Sequence, residues 1–192
     1  MDDLPVKVAL PIFRKEFNLD IPGGDDEIVR IVIGRIVLYI PNFETRKKIV
    51  LLHDIHHLAT GYSAFFKGET EISAWELSAG CYNNWVAFII NIYAFMIGLI
   101  INPTKVWRAW VRGRNTRTLY FMGYHYDELL QKTVGAIKKE LGLMGGINHR
   151  RLLKTIVSFI LMIIIGLAVS ILSILLVPLT IFFTLYIRLK SG

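Results

Sequence analysis

At 192 residues the chain has room for one domain of ordinary size plus an anchor, and not for two enzymatic domains. With 54% hydrophobic residues and a mean hydropathy of +0.49, it is too apolar for a water-soluble domain of this length, so part of it is expected to lie in lipid. The formal charge of +7 is unevenly placed: residues 1–102 carry 9 basic and 12 acidic side chains, and residues 103–154 carry 11 and 3. That basic excess abuts the longest apolar run, where anionic headgroups attract Lys and Arg by about 1 kcal/mol each. No nucleic-acid recognition motif accompanies it, so the charge predicts a membrane face rather than DNA or RNA. The single cysteine, Cys81, excludes an intramolecular disulfide framework and a Cys-rich zinc site. No signal or transit peptide is visible from Met1 onward, which predicts a helical domain on the cytoplasmic side of a membrane, such as the inner membrane of a bacterium.

In chain order, Asp3-Leu4-Pro5 predicts a helix start, and a short helix follows to about Phe17. Ile21-Pro22-Gly23-Gly24 reads as a turn, after which the acids from Asp25 onward predict a second helix through Tyr39, ended by Pro41. Asn42 can cap a third helix to about Thr60, with Gly61 as its stop. A linker with Tyr62, Phe65, Phe66 and Gly68 leads to a fourth helix expected near Glu69, which passes Trp75 and Glu76 and then turns strongly apolar. Val86 to Ile101, short of the roughly 20 residues of a comfortable span and interrupted by Asn91, predicts a buried or bilayer-grazing helix. Beyond Pro103, Trp107 and Trp110 mixed with Lys105, Arg108, Arg112, Arg114 and Arg117 suit either a bilayer interface or a solvated basic helix with two core tryptophans.

A further amphipathic helix is expected from Asp127 to Leu141, and Gly142, Gly145 and Gly146 mark a boundary. Thr155 to Ile187 is 33 residues without a charge, between Arg150, Arg151 and Lys154 on one side and Arg188 and Lys190 on the other. As one helix it would be about 50 Å long against a hydrocarbon core of about 30 Å, which predicts one span to about Leu176 and a kinked or re-entrant continuation at Pro178. The expected fold class is thus all-α, with a helical metal-binding domain over residues 1–146 and a membrane anchor over 147–192.

The chemistry concentrates in His53-Asp54-Ile55-His56-His57. On a helix, residues four apart share a face and adjacent ones differ by about 100°, so His53, Asp54 and His57 occupy one arc. Two imidazoles and a carboxylate there suit one divalent metal, zinc, iron or manganese. Glu69 is the candidate fourth ligand, since the Gly61–Gly68 linker is long enough to reverse the chain. Glu76, two turns further along the same face and about 10.5 Å away, is expected to orient a ligand or to move protons for a substrate. His56 is expected not to ligate, and His125 and His149 stand alone. A zinc protease would need Glu at position 54, an HD-type phosphohydrolase a histidine upstream of His53, and a membrane desaturase about eight histidines.

His53-Asp54-x-x-His57, eleven residues, then Glu69 resembles the metal motif of the Coq-four family of ubiquinone biosynthesis. The resemblance runs from about Pro41 to Leu143, through Thr60-Gly61-Tyr62, Ala74-Trp75-Glu76, Arg112-Gly113-Arg114 and Leu119-Tyr120. It implies a membrane-associated helical protein that binds a divalent metal beside a hydrophobic pocket for a prenylated aromatic or other isoprenoid lipid. The implied activity is decarboxylation or oxidative decarboxylation of a polyprenylated hydroxybenzoate, with a non-catalytic scaffold for other quinone-biosynthesis enzymes as the alternative. The C-terminal anchor and the missing transit peptide depart from typical members, which leaves the identity of the prenyl lipid open.

Overall fold

A computed structural model describes residues 1–19, 28–33, 36–41, 44–146 and 152–190. The elements are α1 (Val6–Glu16), β1 (Ile28–Ile33), β2 (Ile36–Pro41), α2 (Glu44–Thr60), α3 (Phe66–Ala79), α4 (Trp85–Ile101) and α5 (Pro103–Gly113). A 3-10 turn at Leu119–Phe121 precedes α6 (Tyr126–Gln131), α7 (Val134–Glu140) and α8 (Leu152–Lys190). The chain separates into two compact units, Met1–Asn148 and His149–Gly192.

The fold is helical, as composition and periodicity lead one to expect, with one local departure. The helix expected from Asp25 to Tyr39 is instead, where described, an antiparallel hairpin that pairs Ile28 with Pro41 through to Ile33 with Ile36. Eight of its twelve paired residues are Val or Ile. Branching at Cβ restricts χ1 and suits a pleated strand better than a helix, and this outweighs the acids that suggested a helix start. Those acids, like the Ile21–Gly24 turn and the Asn42 cap, lie outside the described residues.

In the first unit α3 is the central helix, packed between α4 and α5 and touching α2. Thr70 and Ile72 through Ser78 are all buried, so it is enclosed on every side, as a helix at the middle of a core must be. Ile72, Trp75 and Leu77 are fully buried, and each contributes about 1.5–3 kcal/mol through its removal from water. The apolar character does not run on unbroken from α3 into the next helix. The chain breaks at Gly80, and α4 restarts under Asn84, whose side chain accepts from the Ala87 N–H. Helix α4 turns Ala87, Asn91, Ile92, Phe95 and Gly98 inward and leaves Trp85 and Ile100 74% and 84% exposed. Of the two tryptophans of α5, Trp110 is buried against Phe95 and Trp107 is half-buried.

The N-terminus is sewn to the break between α6 and α7. Val6 N–H donates to Lys132 O, Val134 N–H to Leu4 O, and Gly135 N–H to Asp2 O, at 2.8–3.0 Å. The single helix expected from Asp127 to Leu141 is accordingly two, because Thr133 takes an extended conformation and caps α7 through Ala136 N–H.

The second unit is dominated by α8, 39 residues that continue as helix through Pro178 without turning back. Its segment Leu152–Leu176 is long and apolar enough to cross a membrane. At 25 residues it spans about 37 Å, and Leu153, Ile164, Ile174 and Leu175 among others are exposed.

Candidate metal centre

Helix α2 carries the histidines and ends where the sequence suggests. Gly61 adopts φ +76°, a left-handed conformation that only glycine takes without strain, and its N–H closes on His57 O at 2.9 Å. The linker then folds back over the first turn of α3 so closely that a Cβ on Gly68 would collide with the Ser63 carbonyl. This close approach starts α3 three residues before Glu69 and puts that carboxylate in the first turn, where the helix dipole favours a negative charge.

His53, His57 and Glu69 meet there, with one ligand atom from each lying within 4.8 Å of the others. The Glu69 oxygens stand 3.2 Å from His53 Nε2 and 3.2 Å from His57 Nε2, and the two Nε2 atoms are 3.2 Å apart. The inner nitrogens fix the tautomers. His53 Nδ1 donates to Glu76 Oε1 at 2.9 Å, and His57 Nδ1 donates to the Tyr62 carbonyl at 3.0 Å. Both Nδ1 atoms therefore carry the proton of the neutral ring, and both Nε2 lone pairs face one another and a carboxylate. Such a cluster of lone pairs is repulsive unless a cation or a proton sits among them. Two ligands each about 2.1 Å from one ion at a tetrahedral angle would lie about 3.4 Å apart, which the observed spacing matches. The group can hold a metal ion, and its chemistry alone does not select which one.

Glu76 lies behind this trio rather than in it. It is wholly buried and accepts four hydrogen bonds: from His53 Nδ1 and His56 Nδ1 on Oε1, and from Asn91 Nδ2 at 2.6 Å and the Tyr120 hydroxyl at 3.1 Å on Oε2. A carboxylate so engaged orients His53 and has no oxygen left to meet a substrate, the arrangement that raises the basicity of a metal-binding imidazole. His56, buried between Trp75 and Tyr120, donates to Glu76 and accepts the Leu119 N–H at Nε2. It has no nitrogen to spare and does not join the trio.

Asp54 does not join it either, although the motif spacing includes it among the ligands. One residue on from His53 is about 100° around the helix, and this turns the Asp54 carboxylate onto Arg14 of α1, whose Nε and Nη2 both reach Oδ2 at 2.8 and 2.7 Å. Of the other histidines, His125 is exposed and His149 lies outside the described residues.

The electrostatics agree with a site that attracts a cation. Burial pushes the His53 imidazole down, yet Glu76 and Glu69 outweigh it and hold its pKa well above the ordinary value. Burial likewise pushes Glu69 up, but hydrogen bonds and charge from His53 and His57 bring it down to about 2. Glu76 is lowered against its own burial by His53 and His56, whereas burial dominates at His56 and lowers it. Burial and the Glu76 charge push the Cys81 thiol up to about 12, which leaves it an inert, buried neighbour.

The mouth of the site is on the Glu69 side. The Glu69 and His53 side chains are 36% and 24% exposed, while His57 is covered and stacks on Phe13 at 5.8 Å. Phe13 continues into Phe17 and Phe65 at 4.8 and 5.1 Å, an aromatic rim beside the imidazoles. The supporting residues Asn91, Tyr120, Tyr62 and Arg14 are not identified by the ligand spacing. Asn91 carries a signal as an amide inside an apolar helix, Tyr62 and Tyr120 carry one as parts of the family resemblance, and Arg14 carries none. A separate cavity of about 680 Å³ on the same unit is lined by Tyr62, Glu71, Lys105, Arg108, Arg112 and Thr116, among others. Comparison with protein-family models, with curated proteins and with solved structures returns no match to the chain.

Proposed function

We propose that the protein is a membrane-attached metalloprotein of ubiquinone or related prenyl-lipid metabolism, acting on the ring carboxyl of a polyprenylated hydroxybenzoate. The observation that carries this reading is the convergence of His53 Nε2, His57 Nε2 and the Glu69 carboxylate, with both Nδ1 atoms already held. Further support comes from where the remaining parts of the Coq-four-like pattern gather. Thr60 O accepts from Arg112, whose guanidinium lies 5.3 Å above the Tyr62 ring. Trp75 Nε1 donates to Thr116, Leu119 N–H reaches His56, and Tyr120 reaches Glu76. Residues far apart in the chain but shared with the motif thus contact one another, and Trp75, Leu119 and Tyr120 reach His56 or Glu76 behind the trio.

His53, His57 and Glu69 would hold the ion, zinc first and iron or manganese as alternatives. A bound divalent ion supplies Lewis acidity toward a carboxylate or phenolate oxygen. The protein's part is to hold both imidazoles by Nδ1, through Glu76 and Tyr62, so that Nε2 is the nitrogen each turns toward the ion, and to offer the Phe13–Phe17–Phe65 rim to an aromatic ring. Helix α8 supplies the attachment, and the basic residues between 103 and 154 favour a cytoplasmic position for the helical unit under the positive-inside rule.

The test is decarboxylation by full-length protein in detergent, loaded in turn with zinc, iron or manganese and supplied with a polyprenylated hydroxybenzoate. Metal-dependent loss of the ring carboxyl is expected from the wild type and not from His57→Ala. Binding of the prenylated ring without turnover under every metal would contradict catalysis. It would favour the scaffold reading, for which the exposed apolar face of α4, with Trp85, Ile90, Ile97 and Ile100, is the specific support.

A further inference from the structure

Asp54 is the one residue that the ligand spacing includes and the geometry leaves out. Its partner Arg14 arrives from 40 residues away on α1, a helix seated by the buried Val6, Ala9, Leu10 and Phe13. Phe13, next to Arg14, stacks on the ligand His57. The guanidinium grips a single carboxylate oxygen through two nitrogens, Nε and Nη2, and charge-assisted bonds of this kind are about twice as strong as neutral ones. Asp54 is buried, so the carboxylate has little reason to leave this partner for water. Meanwhile the partly exposed Glu69 and His53 place the uncovered side of the trio toward solvent.

We propose that Arg14 sets the number of protein ligands on the metal: by holding Asp54 it leaves the ion with His53, His57 and Glu69 alone and keeps a coordination position open to a small anionic ligand. The inference rests on the metal reading above and goes beyond it, because it decides between the two kinds of site such an ion can occupy. Structural zinc sites are closed by four protein ligands, and catalytic ones keep three and an open position. With Arg14 in place, this chain falls in the second class. Without it, the neighbouring carboxylate on α2 is released and can close the first coordination shell.

Cobalt(II) is the probe, since its visible absorption reports coordination number, and azide is the exogenous ligand. In full-length wild-type protein in detergent, azide is expected to shift the cobalt spectrum. Asp54→Asn should keep cobalt affinity within about threefold and keep the azide response, whereas His57→Ala should lose more than the roughly 10–100-fold typical of changes beyond the ligands themselves. Arg14→Met should weaken the azide response at least about tenfold, as the freed carboxylate competes for the position. Should that variant fail to fold, Arg14→Lys keeps the charge, loses the two-nitrogen grip and is expected to weaken the response in part. The proposal is overturned if Asp54→Asn releases cobalt as His57→Ala does, if azide leaves the wild-type spectrum unchanged, or if a folded Arg14 variant responds as the wild type does. A wild type that takes up no cobalt would instead remove the metal reading itself, a separate result.

Discussion

Helices α3 and α8 treat water in opposite ways. Helix α3 encloses the Glu76 carboxylate away from solvent, with a hydrogen-bond donor for each of its four lone-pair directions. Helix α8 leaves leucines and isoleucines bare over 25 residues. In a protein made only for water both would be costly, since a buried charge loses its hydration and exposed hydrocarbon orders the solvent around it. The difference teaches that two separate features coexist in the chain: a charged interior beside imidazoles and a carboxylate that could hold a cation, and a helix long and apolar enough to cross a membrane.

The sharpest way to break the first half of the comparison is Glu76→Ala. Removing the carboxylate strands the donors of His53, His56, Asn91 and Tyr120. Loss of one partner from a buried charged network costs about 3–5 kcal/mol. Urea denaturation should show this loss. A variant as stable as the wild type would mean that the Glu76 network does not form.

The second half is broken by Ile164→Lys, at the middle of the apolar segment, where the side chain is exposed. A lysine at the centre of a membrane helix costs about 2.5–3.5 kcal/mol on insertion. Carbonate extraction of membranes should then release a larger fraction of this variant than of the wild type. Unchanged retention would argue that α8 does not span.

Between these extremes lies the packing that keeps α3 enclosed. A Cβ at position 113 on α5 would collide with Ser78 Oγ and come within 2.6 Å of the Trp75 carbonyl oxygen. Overpacking of this kind costs about 1–3 kcal/mol, so Gly113→Ala should lower the thermal midpoint and loosen α3, which a rise in amide exchange would reveal.

The smallest effect is one of pH. Metal binding requires His53 Nε2 without its proton, and in the metal-free protein the nearby Glu76 and Glu69, outweighing burial, hold that proton to a pH well above the ordinary histidine value. Affinity should therefore fall about tenfold, or about 1.4 kcal/mol, for each unit below that raised pKa. The plateau should come above pH 6.5 and not near it. Glu69, down at about 2, stays ionised throughout. An affinity that is flat between about pH 6 and 8 would contradict the assignment of His53.

What the sequence made legible follows from where local rules suffice. The period of α2 places His53 and His57 on one face, and Gly61 with its linker brings Glu69 to them, because chain reversal and helical phase are local properties. Asp54 misled for a reason that is not local: its carboxylate answers to an arginine on α1, and adjacency to His53 says nothing of that partner. The polar shell behaved likewise. Asn91 stood out inside an apolar helix, but its acceptor, Glu76, is known only once α3 and α4 pack. The hairpin is hidden by acids that resemble a helix start, whereas the run of Val and Ile, branched at Cβ, decides the local structure. The break between α3 and α4 was hidden by a charge-free stretch that continues across Gly80 and Asn84.

The claim on which the rest depends is that His53, His57 and Glu69 share one ion, and the direct measurement is the metal content of full-length protein purified in detergent. The account predicts one divalent ion per chain in the wild type and close to none in His57→Ala or Glu69→Ala of equal fold. A wild type free of metal after exposure to zinc, iron and manganese, or variants that retain it unchanged, would contradict it.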